Sequence, residues 1–194
     1  MIAHVIAAAQ ASGLFQRVIV SSDDAEILSV SAEAGAEPYL RPEHLADDMT
    51  HVGPVVDDVV QSLGLQADSV CLLFATALLL RARHLTEAFA LLCQPDVRSV
   101  LAITEFDAPI QRAYAMHEDG SIQMALPEFF QWRSQDLPKR FRDAGMFSWT
   151  KIQGSGDRRC GYLIPKTESV DIDTPEDLLL AEALFAFNQR QRKG

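Results

Sequence analysis

The sequence lacks the features that mark several large classes of protein. Its three cysteines, Cys71, Cys93 and Cys160, are widely separated in 194 residues, and no CxxC pair occurs. This argues against a disulfide framework or a zinc site and favours a reducing, cytoplasmic environment. The five histidines show no metal-ligand spacing, and neither a G-x-S-x-G turn nor a Walker loop is present.

Positive charge and long apolar runs are also scarce. The chain has 17 Lys and Arg against 27 Asp and Glu, a formal net charge of −10, so we expect no nucleic-acid partner. Phosphate ligands remain compatible with this charge, because acidic proteins hold them through a divalent metal or a few local cations. No segment reaches the ~18 consecutive apolar residues of a membrane span. The apolar N-terminus has no basic flank and predicts a helix rather than a signal peptide.

What the sequence does contain is an alternation of short apolar runs and amphipathic segments. This order predicts a single α/β domain over residues 1–194, with a mostly parallel sheet and helices on both faces. The pattern changes after the third clear strand, where a hairpin turning at Asp119 and Gly120 is predicted, so we expect an inserted lobe at about 113–150. The predicted strands lie near 17–20, 37–40, 69–76, 98–104, 145–150 and 160–165, and the helices near 2–12, 25–34, 53–64, 83–93 and 175–191.

The strongest local signal is the run from Val170 to Leu178, which contains Asp171 and Asp173. In an extended segment these two carboxylates project from one face, and they repel each other unless a cation neutralises them. Mg²⁺ typically takes one or two carboxylates plus substrate phosphates. Thr174 and Asp177 also fit a helix-capping box, so a solvated strand-to-helix turn is the alternative interpretation.

Other candidates are weaker when taken alone. Asp23 follows a predicted strand at the end where open α/β sheets place ligands, although Asp23 or Ser22 could simply cap the next helix. The turn Ala75, Thr76, Ala77 follows another strand. Arginine forks suit carboxylates and phosphates, but loop arginines such as Arg112 and Arg133 are commonly plain surface charges.

Taken together, these segments resemble the sialic-acid-type cytidylyltransferases, and two of them, 109–113 and 133–137, resemble the pseudaminate branch of that family. The resemblance is colinear over nearly the whole chain. The matching segments are 12–15, 18–27, 40–42 with Leu45 and Asp48, 75–77, 104–106, 109–113, 133–137, 143–145 with Phe147 and Trp149, and 171–177.

The resemblance implies a Rossmann-like nucleotide-diphospho-sugar transferase fold, usually in a homodimer. It implies the transfer of CMP from CTP to a nine-carbon α-keto acid sugar, pseudaminic acid, with release of pyrophosphate, for surface or flagellar glycans. Mg²⁺ or another divalent cation would be held by the catalytic Asp171 and Asp173. The residues implied to face the acidic sugar are Gln111, Arg112, Arg133 and Gln135, and those near the nucleotide are Arg41, Ala75, Thr76, Ala77 and Asp23.

The sequence also departs from the family pattern. Family members begin with a central strand and a glycine- and basic-rich loop that cradles the CTP phosphates, and this chain has neither. Leu78 stands where the family has a proline, and residues 150–166 match poorly. We therefore expect either a mis-assigned start or an artificially truncated chain, with the strand and loop encoded upstream of Met1. The alternatives are a catalytically degenerate sugar- or partner-binding remnant, or an enzyme that takes a neuraminic or legionaminic acid.

Overall fold

The computed structural model describes residues 1–153 and 156–191. The predicted order of helices and strands is confirmed, with boundaries that differ by a few residues. The helices are α1 (Ile2–Ser12), α2 (Ala25–Glu33), α3 (Val52–Ser62), α4 (Ala82–Leu92) and α5 (Pro175–Gln191). The strands are β1 (Ile19–Ser22), β2 (Glu37–Leu40), β3 (Ser69–Leu73), β4 (Val97–Glu105), β5 (Tyr114–Met116), β6 (Ile122–Met124), β7 (Phe141–Lys151) and β8 (Arg158–Leu163).

The main sheet has four strands in the order β3-β7-β4-β8. Strand β7 runs antiparallel to both β3 and β4, whereas β4 and β8 are parallel. Three of the four strands therefore share one direction, which agrees with the expected mostly parallel sheet. Strand β7 is reversed because the chain reaches it from β4 through the inserted lobe, without a helical crossover of the kind that joins parallel neighbours.

Strands β1 and β2 form a separate parallel pair. Within the described ranges, β1 hydrogen-bonds to β2 alone and does not join the four-stranded sheet. Leu14, Phe15 and Val18, which precede β1, nevertheless pack against the main core. The pair is thus attached to the rest of the molecule through apolar side chains rather than through strand pairing.

The main core lies between the four-stranded sheet and the helices α1 and α4. Alternate residues of β4, Val100, Ala102 and Thr104, are buried, which is the two-residue period of a strand with one covered face. In β7 the neighbours Met146 and Phe147 are both buried in this same core, because the strand is irregular here and its register with β4 shifts between Leu101 and Ile103. The predicted end of the inserted lobe at about residue 150 is wrong, because residues 141–151 form β7 within the main sheet. The lobe before β7 contains the predicted hairpin, β5 and β6, which pair only with each other among the described residues.

The predicted cap of α2 was wrong by one residue. Asp24 is the N-cap, because its Oδ1 accepts hydrogen bonds from the backbone N–H groups of Glu26 (2.7 Å) and Ile27 (3.0 Å). The Ser22 hydroxyl instead accepts from the N–H of Asp24 at 3.1 Å. Asp23 is exposed and is left available for another role. No helix in the described part of the chain is long and apolar enough to cross a membrane.

We expect Leu92→Ala to destabilise the fold, because Leu92 is 1% exposed in the main core. The loss of transfer free energy and the residual cavity should lower the free energy of unfolding by about 2–5 kcal/mol. Denaturant titration measures this change. The control is Leu179→Ala on α5, where the leucine is 66% exposed and the change should stay within about 0.5 kcal/mol. Equal losses in the two variants would contradict this assignment of the core.

Candidate active site

The two predicted acidic residues lie in the extended segment between a 3₁₀ turn, Lys166–Glu168, and helix α5. Asp171 is partly buried and Asp173 is exposed. Val170, just before them, packs with Leu79 and Ala181 in a small second core. The segment is therefore fixed on its apolar side while the carboxylates remain accessible.

Gly145 in strand β7 makes room for the Asp171 carboxylate. A Cβ atom built at Gly145 would lie 2.9 Å from Oδ2 of Asp171 and closer still to Oδ1, and the backbone has a φ of +62° that favours glycine. The turn at this position is held by Oδ1 of Asp143, which accepts from the N–H of Gly145 at 2.9 Å. Sequence reasoning placed Gly145 in a matching segment but gave it no role, although glycine inside a strand indicates a close approach.

The electrostatics of the site favour a bound cation. The pKa of Asp171 is raised above its usual value, first by burial and then by the negative charge of Asp173, with further contributions from Asp143 and Asp177. Arg142 acts in the opposite direction but does not reverse the shift. The negative charges of the neighbouring acidic side chains therefore raise the pKa of Asp171 by more than the charge of Arg142 lowers it.

The carboxylates fit a divalent ion only as part of a larger ligand set. No group of three or more His, Cys, Asp or Glu side chains is arranged to hold a metal in residues 1–153 and 156–191. Two carboxylates with the remaining ligands from water and substrate phosphates are the arrangement that Mg²⁺ commonly adopts. The donor set of Asp171 and Asp173 is thus compatible with the predicted ion, with substrate oxygens completing it.

The predicted capping box at the start of α5 is present. The Thr174 hydroxyl accepts from the N–H of Asp177 (3.3 Å), and Oδ2 of Asp177 accepts from the N–H of Thr174 (2.9 Å) and of Asp173 (3.3 Å). The Thr174 hydroxyl also donates to Oδ2 of Asp177 at 2.7 Å, and this bond, followed by the one from the backbone N–H of Thr174, lowers the pKa of Asp177. Of the three carboxylates in this run, Asp171 and Asp173 remain for ligand binding.

The turn that follows β3 lies at the same end of the sheet as the acidic pair. The N–H of Phe74 donates to the carbonyl oxygen of Met146 at 3.0 Å, one residue from Gly145. The predicted nucleotide residues Ala75, Thr76 and Ala77 continue this turn, with Ala75 exposed and Ala77 buried. The strand pairing thus brings one predicted nucleotide segment beside Asp171.

Arg41 and Asp23 lie at the ends of β2 and β1, in the separate two-stranded sheet. The Arg41 guanidinium donates to the Ser21 carbonyl oxygen at 2.7 Å and to the Ser21 hydroxyl at 3.3 Å. Arg41 is half-buried and Asp23 is exposed. No strand pairing in the described residues connects this pair of residues to Asp171, so their nucleotide role stays a prediction.

Of the predicted sugar residues, Arg133 and Gln135 lie in the inserted lobe, and Gln111 and Arg112 lie in the 3₁₀ turn Ile110–Arg112 just before it. Gln111 is 2% exposed, its Nε2 donates to the Pro138 carbonyl at 3.0 Å, and its Oε1 has no partner among the described residues. Arg112 donates to the Trp132 carbonyl oxygen. Arg133 and Gln135 are exposed, and Arg133 pairs with Asp136 through two bonds of 2.7 and 3.1 Å. Sugar binding by these residues stays a prediction.

The base of the lobe touches the segment that carries the acidic pair. The Lys166 ammonium donates to the Phe106 carbonyl at 2.9 Å, and the N–H of Phe106 donates to the Arg140 carbonyl at 3.1 Å. Lys166 also pairs with Asp107 at 3.2 Å. The end of β4, the start of β7 and the 3₁₀ turn therefore meet where the lobe joins the sheet.

Comparison with solved structures defines the class of protein. The fold matches that of a CMP:2-keto-3-deoxy-manno-octonic acid synthetase with a TM-score of 0.67 and 13% identity, over 96% of this chain and 88% of the other. A 4-diphosphocytidyl-2C-methyl-D-erythritol synthase from Anaerococcus prevotii matches with a TM-score of 0.58 and 9% identity, over 94% of this chain and 87% of the other. The fold is thus that of the Rossmann-like nucleotidyltransferases.

Comparison of sequences narrows this class to one family. The family model described as "Cytidylyltransferase" matches residues 1–115. The pseudaminic acid cytidylyltransferase of Campylobacter jejuni strain 81-176 is 34% identical over 97% of this chain and 86% of its own length. A CMP-N,N'-diacetyllegionaminic acid synthase from Legionella pneumophila is 28% identical over the same shares. The chain belongs to the cytidylyltransferase family and is a nucleotidyltransferase, which confirms the resemblance found in the sequence.

We expect Gly145→Ala to reduce nucleotidyl transfer by more than about tenfold, since small misplacements of catalytic groups have large effects on rate. The new methyl group would displace the Asp171 carboxylate. The matched control is Gly64→Ala, which has a similar φ of +58° but open space around the Cβ position. Both variants should lose about 1–2 kcal/mol of stability from the left-handed backbone. Pyrophosphate release and thermal denaturation separate the two effects, and parallel losses of activity would contradict the role of Gly145.

Proposed function

We propose that this protein transfers CMP from CTP to pseudaminic acid, with release of pyrophosphate, in a reaction that depends on Mg²⁺ or another divalent cation. The observation that carries the proposal is the 34–35% identity to two pseudaminic acid cytidylyltransferases of Campylobacter jejuni over 97% of the chain. The Asp171 and Asp173 pair, of which Asp171 lies against Gly145, would supply the chemistry that such a transfer requires.

The reaction balances as a displacement at phosphorus. The anomeric hydroxyl oxygen of the sugar forms a bond to the α-phosphorus of CTP and its proton passes to water, while the bond from that phosphorus to the bridging oxygen breaks and pyrophosphate leaves. A divalent cation supplies neutralisation of phosphate charge and polarisation of a phosphoryl oxygen. The Asp171 and Asp173 carboxylates would hold that ion. The pKa of Asp171 is raised first by burial and then by the negative charge of Asp173, and a cation would offset both effects.

Substrate recognition is proposed to divide between two parts of the fold. The turn Ala75–Ala77 and Arg41 would contact the nucleotide, and exposed Asp23 lies at the end of the neighbouring strand. Arg112 just before the lobe, and Arg133 and Gln135 within it, would offer cationic and amide donors for the sugar carboxylate and substituents. Arg133 is already paired with Asp136, so a sugar carboxylate would compete with or share that partner.

A legionaminic acid is the second candidate substrate. It is favoured by the relative in Legionella pneumophila, a CMP-N,N'-diacetyllegionaminic acid synthase that aligns over 97% of this chain. The relevant differences between these sugars lie in the stereochemistry and substituents of the ring, which the lobe residues would contact. The rates with the two sugars therefore decide between the candidates.

The proposal is tested by pyrophosphate release from CTP with pseudaminic, N,N'-diacetyllegionaminic and N-acetylneuraminic acid. We expect pseudaminic acid to give the highest kcat/KM. Asp171→Asn and Asp173→Asn should each lower the rate by more than about 100-fold, because they remove metal ligands. Asp57→Asn, on the exposed face of α3, is the control. No pyrophosphate release with any of the sugars would instead support a binding remnant.

We also propose a homodimer formed through the inserted lobe. Tyr114, Met116 and Ile122 of the β5–β6 hairpin are 56%, 77% and 61% exposed. A two-stranded hairpin is marginally stable alone, and an exposed apolar cluster indicates an interaction surface. A second copy of the chain would cover these side chains and add a partner to the hairpin.

We expect Met116→Asp to shift the protein from dimer to monomer, since it places a charge in the apolar interface. Analytical ultracentrifugation at several concentrations measures the shift. Met49→Asp is the control, because Met49 is 84% exposed in a loop outside the hairpin. A wild-type protein that sediments as a stable monomer would contradict the homodimer.

A further inference from the structure

A buried ionic cluster surrounds Glu168, three residues before Asp171. The Glu168 side chain is 11% exposed, and its Oε1 pairs with the Arg81 guanidinium at 3.2 Å. Its Oε2 accepts from the Arg83 guanidinium and from Nε2 of His84, the latter at 2.7 Å. One carboxylate at the end of the 3₁₀ turn is thus bound by three residues at the beginning of α4.

The hydrogen bonds define the protonation state of His84. Its Nδ1 accepts from the backbone N–H of Arg81 at 3.3 Å, so the ring proton is on Nε2 and is donated to Glu168. The His84 side chain is fully buried, and burial is the main cause that lowers its pKa, which agrees with a neutral ring. Glu168 is therefore held by two cations and one neutral donor in a fixed arrangement.

Three residues beside Glu168 in the chain, Lys166, Thr167 and Ser169, each form a hydrogen bond to a different part of the fold. The Thr167 carbonyl accepts from Asn188 of α5 at 2.9 Å, and the Ser169 hydroxyl donates to the Ala144 carbonyl of β7 at 3.4 Å. Lys166 contacts the base of the lobe. Glu168 adds the connection to α4. Bonds to α5, β7, the base of the lobe and α4 therefore fix the chain just before Asp171.

The chemistry of this cluster is better suited to fixing geometry than to adding stability. Buried ion pairs lose much of their attraction to desolvation, and apolar residues of similar volume often stabilise a fold as well or better. Directional bonds to a carboxylate, however, define one position of the chain. Partners that orient metal ligands in this way typically matter by 10–100-fold in metal affinity or activity.

We propose that Glu168 is a positioning residue of the active site: through its bonds to Arg81, Arg83 and His84 it fixes the segment that carries Asp173 and that places the Asp171 carboxylate against Gly145. This inference rests on the proposed function, because it assigns to Asp171 and Asp173 the binding of the divalent cation. Glu168 does not touch substrate and acts only through the segment it anchors.

The test is Glu168→Gln, measured by Mn²⁺ binding in the presence of CTP without sugar, so that no turnover occurs. The glutamine amide would face the donors Arg83 and His84 with an N–H₂ group, which breaks the arrangement while keeping the size of the side chain. We expect Mn²⁺ affinity to fall about tenfold, with a parallel rise in the half-saturating Mg²⁺ concentration for activity. Glu168→Asp, which keeps the charge, should recover part of both.

The control is Tyr162→Phe, which removes the neighbouring bond from the Tyr162 hydroxyl to Glu87 of α4 (2.5 Å) and leaves the Glu168 contacts intact. It should destabilise the fold without a change in Mn²⁺ affinity. If Glu168→Gln does not fold, Arg83→Gln provides the measurement, because the Arg83 side chain is 44% exposed and only one bond to Glu168 is lost.

Two results have distinct meanings. If Asp171→Asn abolishes Mn²⁺ binding but Glu168→Gln and Arg83→Gln keep the wild-type affinity, the positioning role is overturned while the proposed function stands. If Asp171→Asn itself binds Mn²⁺ and CTP as the wild type does, the proposed metal site fails, and the positioning role fails with it.

Discussion

The carboxylate of Asp171 lies against a backbone position that has no room for a side chain. This contact, between the segment before α5 and the central strand β7, requires glycine at position 145. The pKa of Asp171 is raised there, first by burial and then by the negative charge of Asp173, with smaller contributions from Asp143 and Asp177. Burial and like charge both disfavour the ionised carboxylate in the protein alone, and a bound cation would offset both.

The surrounding structure can be understood as the support for this unfavourable contact. On one side a small apolar cluster, Leu79, Val170 and Ala181, holds the segment to α5. On the other side polar bonds from α4, β7 and the lobe fix its direction. The apolar contacts bury the segment but do not define its orientation. The polar contacts define its orientation but add little net stability. Both are needed, because the carboxylates must remain accessible while the chain that carries them stays fixed.

Local chemistry made much of this fold predictable from the sequence. The strand and helix order, the hairpin at Asp119 and Gly120, and the Thr174–Asp177 capping box all depend on neighbouring residues. The N-cap of α2 was misplaced because three consecutive candidates, Ser22, Asp23 and Asp24, have similar capping ability. The insertion of β7 between β3 and β4, the Gly145 contact and the Glu168 cluster join distant parts of the chain. No periodicity encodes such pairings, so they required the structure.

The charge of the protein gives this site a further constraint. The chain has a formal charge of −10, and its proposed substrates are a nucleoside triphosphate and an acidic sugar. The protein therefore repels both substrates at long range, although salt screens this repulsion beyond about 8 Å. The arginines assigned to the substrates are already bonded within the protein: Arg41 to Ser21, Arg112 to Trp132, and Arg133 to Asp136. Only Arg133 is paired with a carboxylate, whereas Arg41 and Arg112 bond to neutral oxygens and keep their positive charge. These bonds orient the guanidinium groups, and a divalent ion held by Asp171 and Asp173 would add the positive charge that offsets the two carboxylates where anionic substrates are proposed to react.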